Sequence, residues 1–88
     1  MQERNITIMN RLGLHARAAA KLVTLCSRFG SRVVLVANGR SADARHFIAV
    51  LMLSAAMGTA VSIRVDGPDE SEAMRAVSRL ISNGFGEG

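Results

Sequence analysis

Tryptophan and tyrosine are missing from this chain, and three phenylalanines are its only aromatic residues. With so few rings there is little on which nucleic-acid bases could stack, and no dense run of lysine or arginine compensates. A nucleic-acid partner is therefore set aside despite a formal net charge of +4, which favours acidic partners of another kind. Long apolar runs are missing too: nothing approaches the roughly 20 residues that cross a bilayer, so no direct membrane insertion is expected. A cleavable export signal is not read either, because Gln2, Glu3, Arg4 and Asn5 precede a short strand-like segment. The single cysteine, Cys26, can form no internal disulfide and points to a reducing compartment, the cytoplasm. Its place in a helical pattern suggests a small buried side chain rather than redox chemistry. His15, His46 and Cys26 show no metal-ligand spacing, so no metal site is expected. Linkers, low-complexity tracts and internal repeats are absent, and 88 residues suit one domain, residues 1–88, with a modest core and no deep multi-residue cleft.

Seven short elements fill that length, in the order βαββαβα. Ile6 and Ile8 alternate with Asn5 and Thr7 as in a half-buried strand. Ala19, Leu22, Val23 and Cys26 recur at helical spacing, which predicts a helix from Ala16 to about Arg28, closed by Gly30. Arg32 to Ala37 is rich in β-branched residues, Asn38-Gly39 is a strong hairpin signal, and the return strand begins at Arg40. Phe47 to Leu53 is apolar nearly all round, as either core or a contact surface. Val61, Ile63 and Val65 alternate with polar neighbours, as a strand does. Pro68, Asp69, Glu70 and Glu72 then load a helix start with acid, and Ala73, Val77, Leu80 and Ile81 form its buried stripe. Such a sequence implies an antiparallel sheet covered by helices on one face. The tail from Asn83 to Gly88 is glycine-rich and is expected to fray, with Phe85 free to pin the last turn.

Gly13-Leu14-His15-Ala16-Arg17 places an imidazole where a tight turn gives way to a helix. The first helical turn has amides without intrahelical partners, and the helix dipole adds partial positive charge, so an anion is stabilised there. A phosphoryl group on a ring nitrogen of His15 would face the amides of Ala16 and Arg17, and the Arg17 guanidinium could bind the same oxygens. Imidazole is also nucleophilic near neutral pH, unlike Ser or Lys without an activating base. The plainer alternative is a capping or surface histidine.

Gly13-Leu14-His15-Ala16-Arg17 followed by a small-residue helix resembles the active-site motif of the HPr family, the histidine phosphocarriers of the phosphoenolpyruvate-dependent phosphotransferase system. Asn38 to Ala44, Phe47 to Leu53 with Ala56 to Thr59, and Asp66 to Ala73 are similar to later segments of that family. The resemblance implies its open-faced α+β sandwich: a four-stranded antiparallel sheet with three helices on one face. It further implies that His15 accepts a phosphoryl group from enzyme I and passes it to an enzyme IIA-type domain, with Arg17 facing the phosphate. Ala16, Ala20, Lys21 and Thr24, with Phe47, Ile48 and Leu51, correspond to the family's docking surface. The alternative for the last three is ordinary core packing. No cofactor is implied, and the chain would act as a monomeric carrier through a phosphohistidine rather than as a self-contained catalyst.

Two positions depart from the family pattern. Ala18 stands where most members have proline, and alanine keeps a helix start well. His46 stands where many members carry a regulatory serine, so kinase control cannot operate at that residue, and a partly exposed helix-start histidine is expected. With Arg45 beside it, an acidic contact is a minor alternative. Leu51-Met52-Leu53, Gly67-Pro68 and Asn83-Gly84-Phe85 resemble the nitrogen-related branch, often called NPr, while the His15 segment fits the sugar branch as well. A phosphate-independent regulatory binding module with the same fold is the competing function. Retention of both His15 and Arg17 counts against it. A self-contained hydrolase would need an acid/base pair, and no carboxylate lies near His15 along the chain.

Overall fold

A computed structural model describes residues 1–87. Strand β1 (Gln2–Thr7) leads to helix α1 (Ala16–Cys26), the strands β2 (Arg32–Ala37) and β3 (Arg40–Asp43), helix α2 (Phe47–Leu51), strand β4 (Ala60–Asp66) and helix α3 (Glu70–Ser82). The sheet runs β1-β4-β2-β3 with every neighbouring pair antiparallel. Register follows the alternation in the sequence: Val33 lies opposite Val65 and Leu35 opposite Ile63, and all four are buried. Their neighbours Arg32 and Arg64 are exposed, and Val34 and Val36 half-buried, on the opposite face. Ala18, Ala19, Leu22 and Cys26 of α1, Val50 of α2 and Ala73, Met74, Val77 and Ile81 of α3 complete the core over one side of the sheet. Burial pushes the Cys26 thiol up to about 12, so it stays a protonated packing group.

The β2–β3 turn matches its residues closely, since Asn38 (φ 53°) and Gly39 (φ 75°) both take the left-handed conformation that a two-residue hairpin needs. Elsewhere the boundaries shift. Helix α1 stops at Cys26 with Ser27 as its C-cap, and the Arg28 and Phe29 amides reach back only three residues, to Leu25 and Cys26. Ala18 rather than Val23 is buried on α1, and on α3 Met74 and Ser78 join the stripe while Leu80 is half-buried. Helix α2 is a single short turn ending at Leu51 with Met52 as its C-cap. The Arg45 amide donates to the Asp43 carboxylate at 2.9 Å, while its guanidinium pairs with no acid among the described residues and donates to the carbonyls of Phe29 and Ser31, 3.1 Å each, closing the α1–β2 loop.

Asp69 has a different duty from the helix capping its position suggests. Its side chain makes no capping bond to α3 and instead accepts from the Gly30 amide (2.9 Å), the Ser31 amide (2.9 Å) and the Ser31 hydroxyl (2.5 Å). The Ser31 hydroxyl and the Gly30 amide hold this carboxyl below its ordinary range. A depressed native value stabilises the fold above the unfolded value of about 3.9, and that contribution is lost as the pH falls through the native value. Asp69→Asn should therefore melt below the wild type at pH 7, with the gap closing under acid. A gap that stays constant from pH 7 to pH 2 in thermal melts would show that the charge contributes nothing.

The tail does not fray over the residues described. Gly84–Gly86 forms a 3₁₀ turn, and Phe85 is fully buried despite a φ of 57°.

Candidate phosphoryl-acceptor site

The loop between β1 and α1 is fastened before it reaches His15. Ile8 exchanges backbone bonds with Thr59 and Gly58, and the Leu14 amide donates to Ala55 at 2.8 Å. Gly13 (φ +67°) runs so close to this second loop that a Cβ would lie 2.6 Å from the Ala55 carbonyl oxygen, so only glycine fits. The chain then enters α1 with His15 as N-cap (φ −81°, ψ −177°). Its Nδ1 accepts from the Arg17 amide at 3.3 Å, the bond by which a capping side chain serves an orphan donor. The plain capping role and the phosphoryl-acceptor geometry therefore occupy the same atom: Nδ1 presents its lone pair to the helix start. Beside it, the exposed Arg17 guanidinium makes no ion pair within 4 Å among the described residues.

The other ring nitrogen has a partner that the sequence does not suggest. Nε2 lies 2.5 Å from Oε2 of Glu87, with the two side chains 23% and 14% exposed. The second carboxylate oxygen, Oε1, accepts from Asn10 Nδ2 at 2.9 Å, and the same Asn10 amide donates to the Gly13 carbonyl at 2.8 Å. Hydrogen bonds from Asn10 and, to a smaller extent, from His15 depress the Glu87 carboxyl, so it is ionised at neutral pH. Because Nδ1 accepts and the ionised carboxylate can only accept, the proton of the neutral imidazole sits on Nε2.

Of the expected docking residues, Ala16, Ala20, Lys21 and Thr24 are exposed on α1. Arg17, Ala20, Lys21, Thr24, Arg28 and Leu80 border one shallow groove. Lys21 is not free, since its ammonium donates to the Phe85 carbonyl at 2.7 Å. On α2, Ile48 is 67% exposed whereas Phe47 and Leu51 are half-buried against the core, so core packing accounts for the last two and not for Ile48. Met52, within the same apolar run, is exposed as well, and the exposed Met9, Leu12 and Met57 carry no signal in the sequence pattern. His46 is an exposed N-cap of α2 without a side-chain capping bond.

A four-stranded antiparallel sheet with helices on one face, and a histidine capping the helix that starts beside its loops, is the architecture of small histidine phosphocarriers. The backbone superposes on HPr-C-His of Thermoanaerobacter tengcongensis with a TM-score of 0.95 at 35% identity, covering 100% of this chain and 99% of that one. It also superposes on the histidine-containing phosphocarrier protein of a Mycoplasma at 0.88 and 27% identity, covering 99% and 100%. Phosphocarrier protein HPr of Cupriavidus necator is 52% identical over 88 residues, 100% of this chain and 99% of that protein. That of Neisseria meningitidis is 43% identical, with the same coverage. The family model for the PTS HPr component phosphorylation site matches residues 2–83. The chain belongs to the HPr family of phosphocarrier proteins of the phosphotransferase system.

Proposed function

We propose that this chain takes a phosphoryl group onto His15 Nδ1 from enzyme I and hands it to an enzyme IIA-type domain, working as a monomeric, single-domain carrier in the cytoplasm. The observation that supports this most directly is the lone pair of Nδ1 directed at the Arg17 amide in the first turn of α1. In the forward step that lone pair bonds to phosphorus while the nitrogen–phosphorus bond of the donor phosphohistidine breaks, its electron pair returning to the donor ring. The phosphate oxygens then take over the helix-start amides of Ala16 and Arg17, with the Arg17 guanidinium able to pair with them. Positioning and electrostatics make up this chain's share of the chemistry. Ala16, Ala20, Lys21 and Thr24 with Ile48 and the outer edges of Phe47 and Leu51 form the surface on which both partners dock, and the small residues beside His15 let them come close.

Incubation with enzyme I and phosphoenolpyruvate should add about 80 Da to the intact mass, one phosphoryl group, and mild acid should remove it. No gain with a demonstrably active enzyme I would favour a phosphate-independent binding module. Arg17→Ala should slow uptake by about tenfold or more, the weight of one charge-assisted contact in the transition state, while the thermal midpoint stays near that of the wild type. Unchanged transfer in that variant would remove Arg17 from the site.

A further inference from the structure

We propose that Glu87 is a positioning residue for His15: its carboxylate, itself oriented by Asn10, holds the Nε2 proton and thereby fixes Nδ1 as the phosphoryl acceptor. The inference rests on the carrier reading above and adds a component that neither the His15 motif nor the matched family segment, which ends at residue 83, contains.

Three observations carry it. The carboxylate is held at both oxygens, by His15 Nε2 on one side and by Asn10 Nδ2 on the other, so its plane and distance are set before any partner arrives. Asn10 ties this contact to the acceptor loop, because the same side-chain amide also holds the Gly13 carbonyl two residues before the histidine. The segment that delivers Glu87 is built in rather than draped over the surface. Phe85 is fully buried, Lys21 of α1 holds the Phe85 carbonyl, and the Gly86 amide is bound by the Asn83 side chain at 3.1 Å.

The chemistry follows from the proton count. When the Nδ1 lone pair forms its bond to phosphorus, the ring keeps its Nε2 proton and becomes an N-phosphorylated imidazolium carrying one positive charge. Glu87 faces that charge. The carboxylate stabilises it as it develops, much as a buried carboxylate stabilises the imidazolium of a hydrolase triad, and the proton stays between Nε2 and Oε2 throughout. In the reverse step the Nδ1–phosphorus bond breaks, its pair returns to Nδ1, and the neutral ring is restored with its proton where it began. No proton has to be found or discarded at either exchange.

The test compares wild type, Glu87→Ala and Glu87→Gln, the last retaining a carbonyl that can accept from Nε2–H without the charge. Two quantities are read: the initial rate of uptake from enzyme I and phosphoenolpyruvate, and the imidazole N–H resonance of His15 in protein labelled with ¹⁵N-histidine. The wild type should show a slowly exchanging, downfield Nε2–H signal. Glu87→Ala should lose that signal and slow about tenfold, the weight of one charge-assisted hydrogen bond. Glu87→Gln should keep a protected but less shifted signal and fall between the two in rate. Matching thermal midpoints will exclude a folding defect. A wild-type rate in Glu87→Ala overturns the inference, and so does a slowed rate with the His15 signal unchanged, since Glu87 would then act on something other than the ring. If the wild type itself takes up no phosphoryl group, the carrier reading fails and this inference fails with it, an outcome distinct from the other two.

Discussion

His15→Ala is expected to abolish phosphoryl uptake while leaving the chain folded. Alanine offers no ring nitrogen, and Cys26 is buried with its thiol protonated. Among the described residues the only other imidazole is His46, which caps a helix of five residues and has no side-chain partner there. The structural cost should be modest, because His15 contributes one capping bond of 3.3 Å to α1 and one contact with Glu87 in the tail. Losing such a cap costs up to about 1 kcal/mol, which corresponds to a drop of roughly 4–8 °C in the melting midpoint for a domain of this size. Intact mass after incubation with enzyme I and phosphoenolpyruvate, together with a thermal melt, checks both halves. An acid-labile gain persisting in His15→Ala would move the acceptor to His46.

Phe85→Ala should produce the largest loss of stability of any tail substitution. Phe85 is the largest fully buried side chain, and it sits beyond α3 with its backbone at φ 57°, a conformation costly for a bulky residue. Burial of the ring must outweigh that strain. Truncation to alanine removes the ring and retains the unfavourable backbone, so a cost of about 3–5 kcal/mol is expected. Domains of this size are stable by only about 4–13 kcal/mol, so the chemical-denaturation midpoint should fall steeply. Because Phe85 also sets the path to Glu87, the Nε2–H signal of His15 should weaken well below the unfolding midpoint. A variant that keeps wild-type stability would show that the aromatic ring contributes nothing to anchoring the tail.

The elements written in local chemistry were the ones legible in the sequence. The Asn38-Gly39 turn, the β2 and β4 alternations and the entry to α1 each depend on residues within a few positions of one another, and each lies where those residues place it. The placement of His15 and Arg17 at the start of α1 is legible for the same reason, since a helix start is a local object. What was not legible depends on contacts made across the chain. β1 extends back to Gln2 because Gln2 pairs with Val65, not because its own residues alternate. Ile8, read as the end of that strand, lies beyond it and is buried through backbone bonds to the Gly58–Thr59 loop. Asp69 looks like a cap but serves Gly30 and Ser31, nearly forty positions earlier. The tail carboxylate reaches His15 across 72 positions. A glycine-rich ending with one phenylalanine is ambiguous until there is a core for that ring to enter.

The strand order β1-β4-β2-β3 leaves two strands, β1 and β3, with unpaired outer edges. An unpaired edge is a template on which another copy can add a strand. β3 offers only four residues, and β1 presents the sequence Gln-Glu-Arg-Asn before its first isoleucine, so neither offers a long apolar ribbon. Stacking a second β1 against the first would bring formal charges and amide side chains into register at the cost of their hydration. An edge of this composition disfavours pairing between copies, so raising the concentration should not by itself add strands to the sheet.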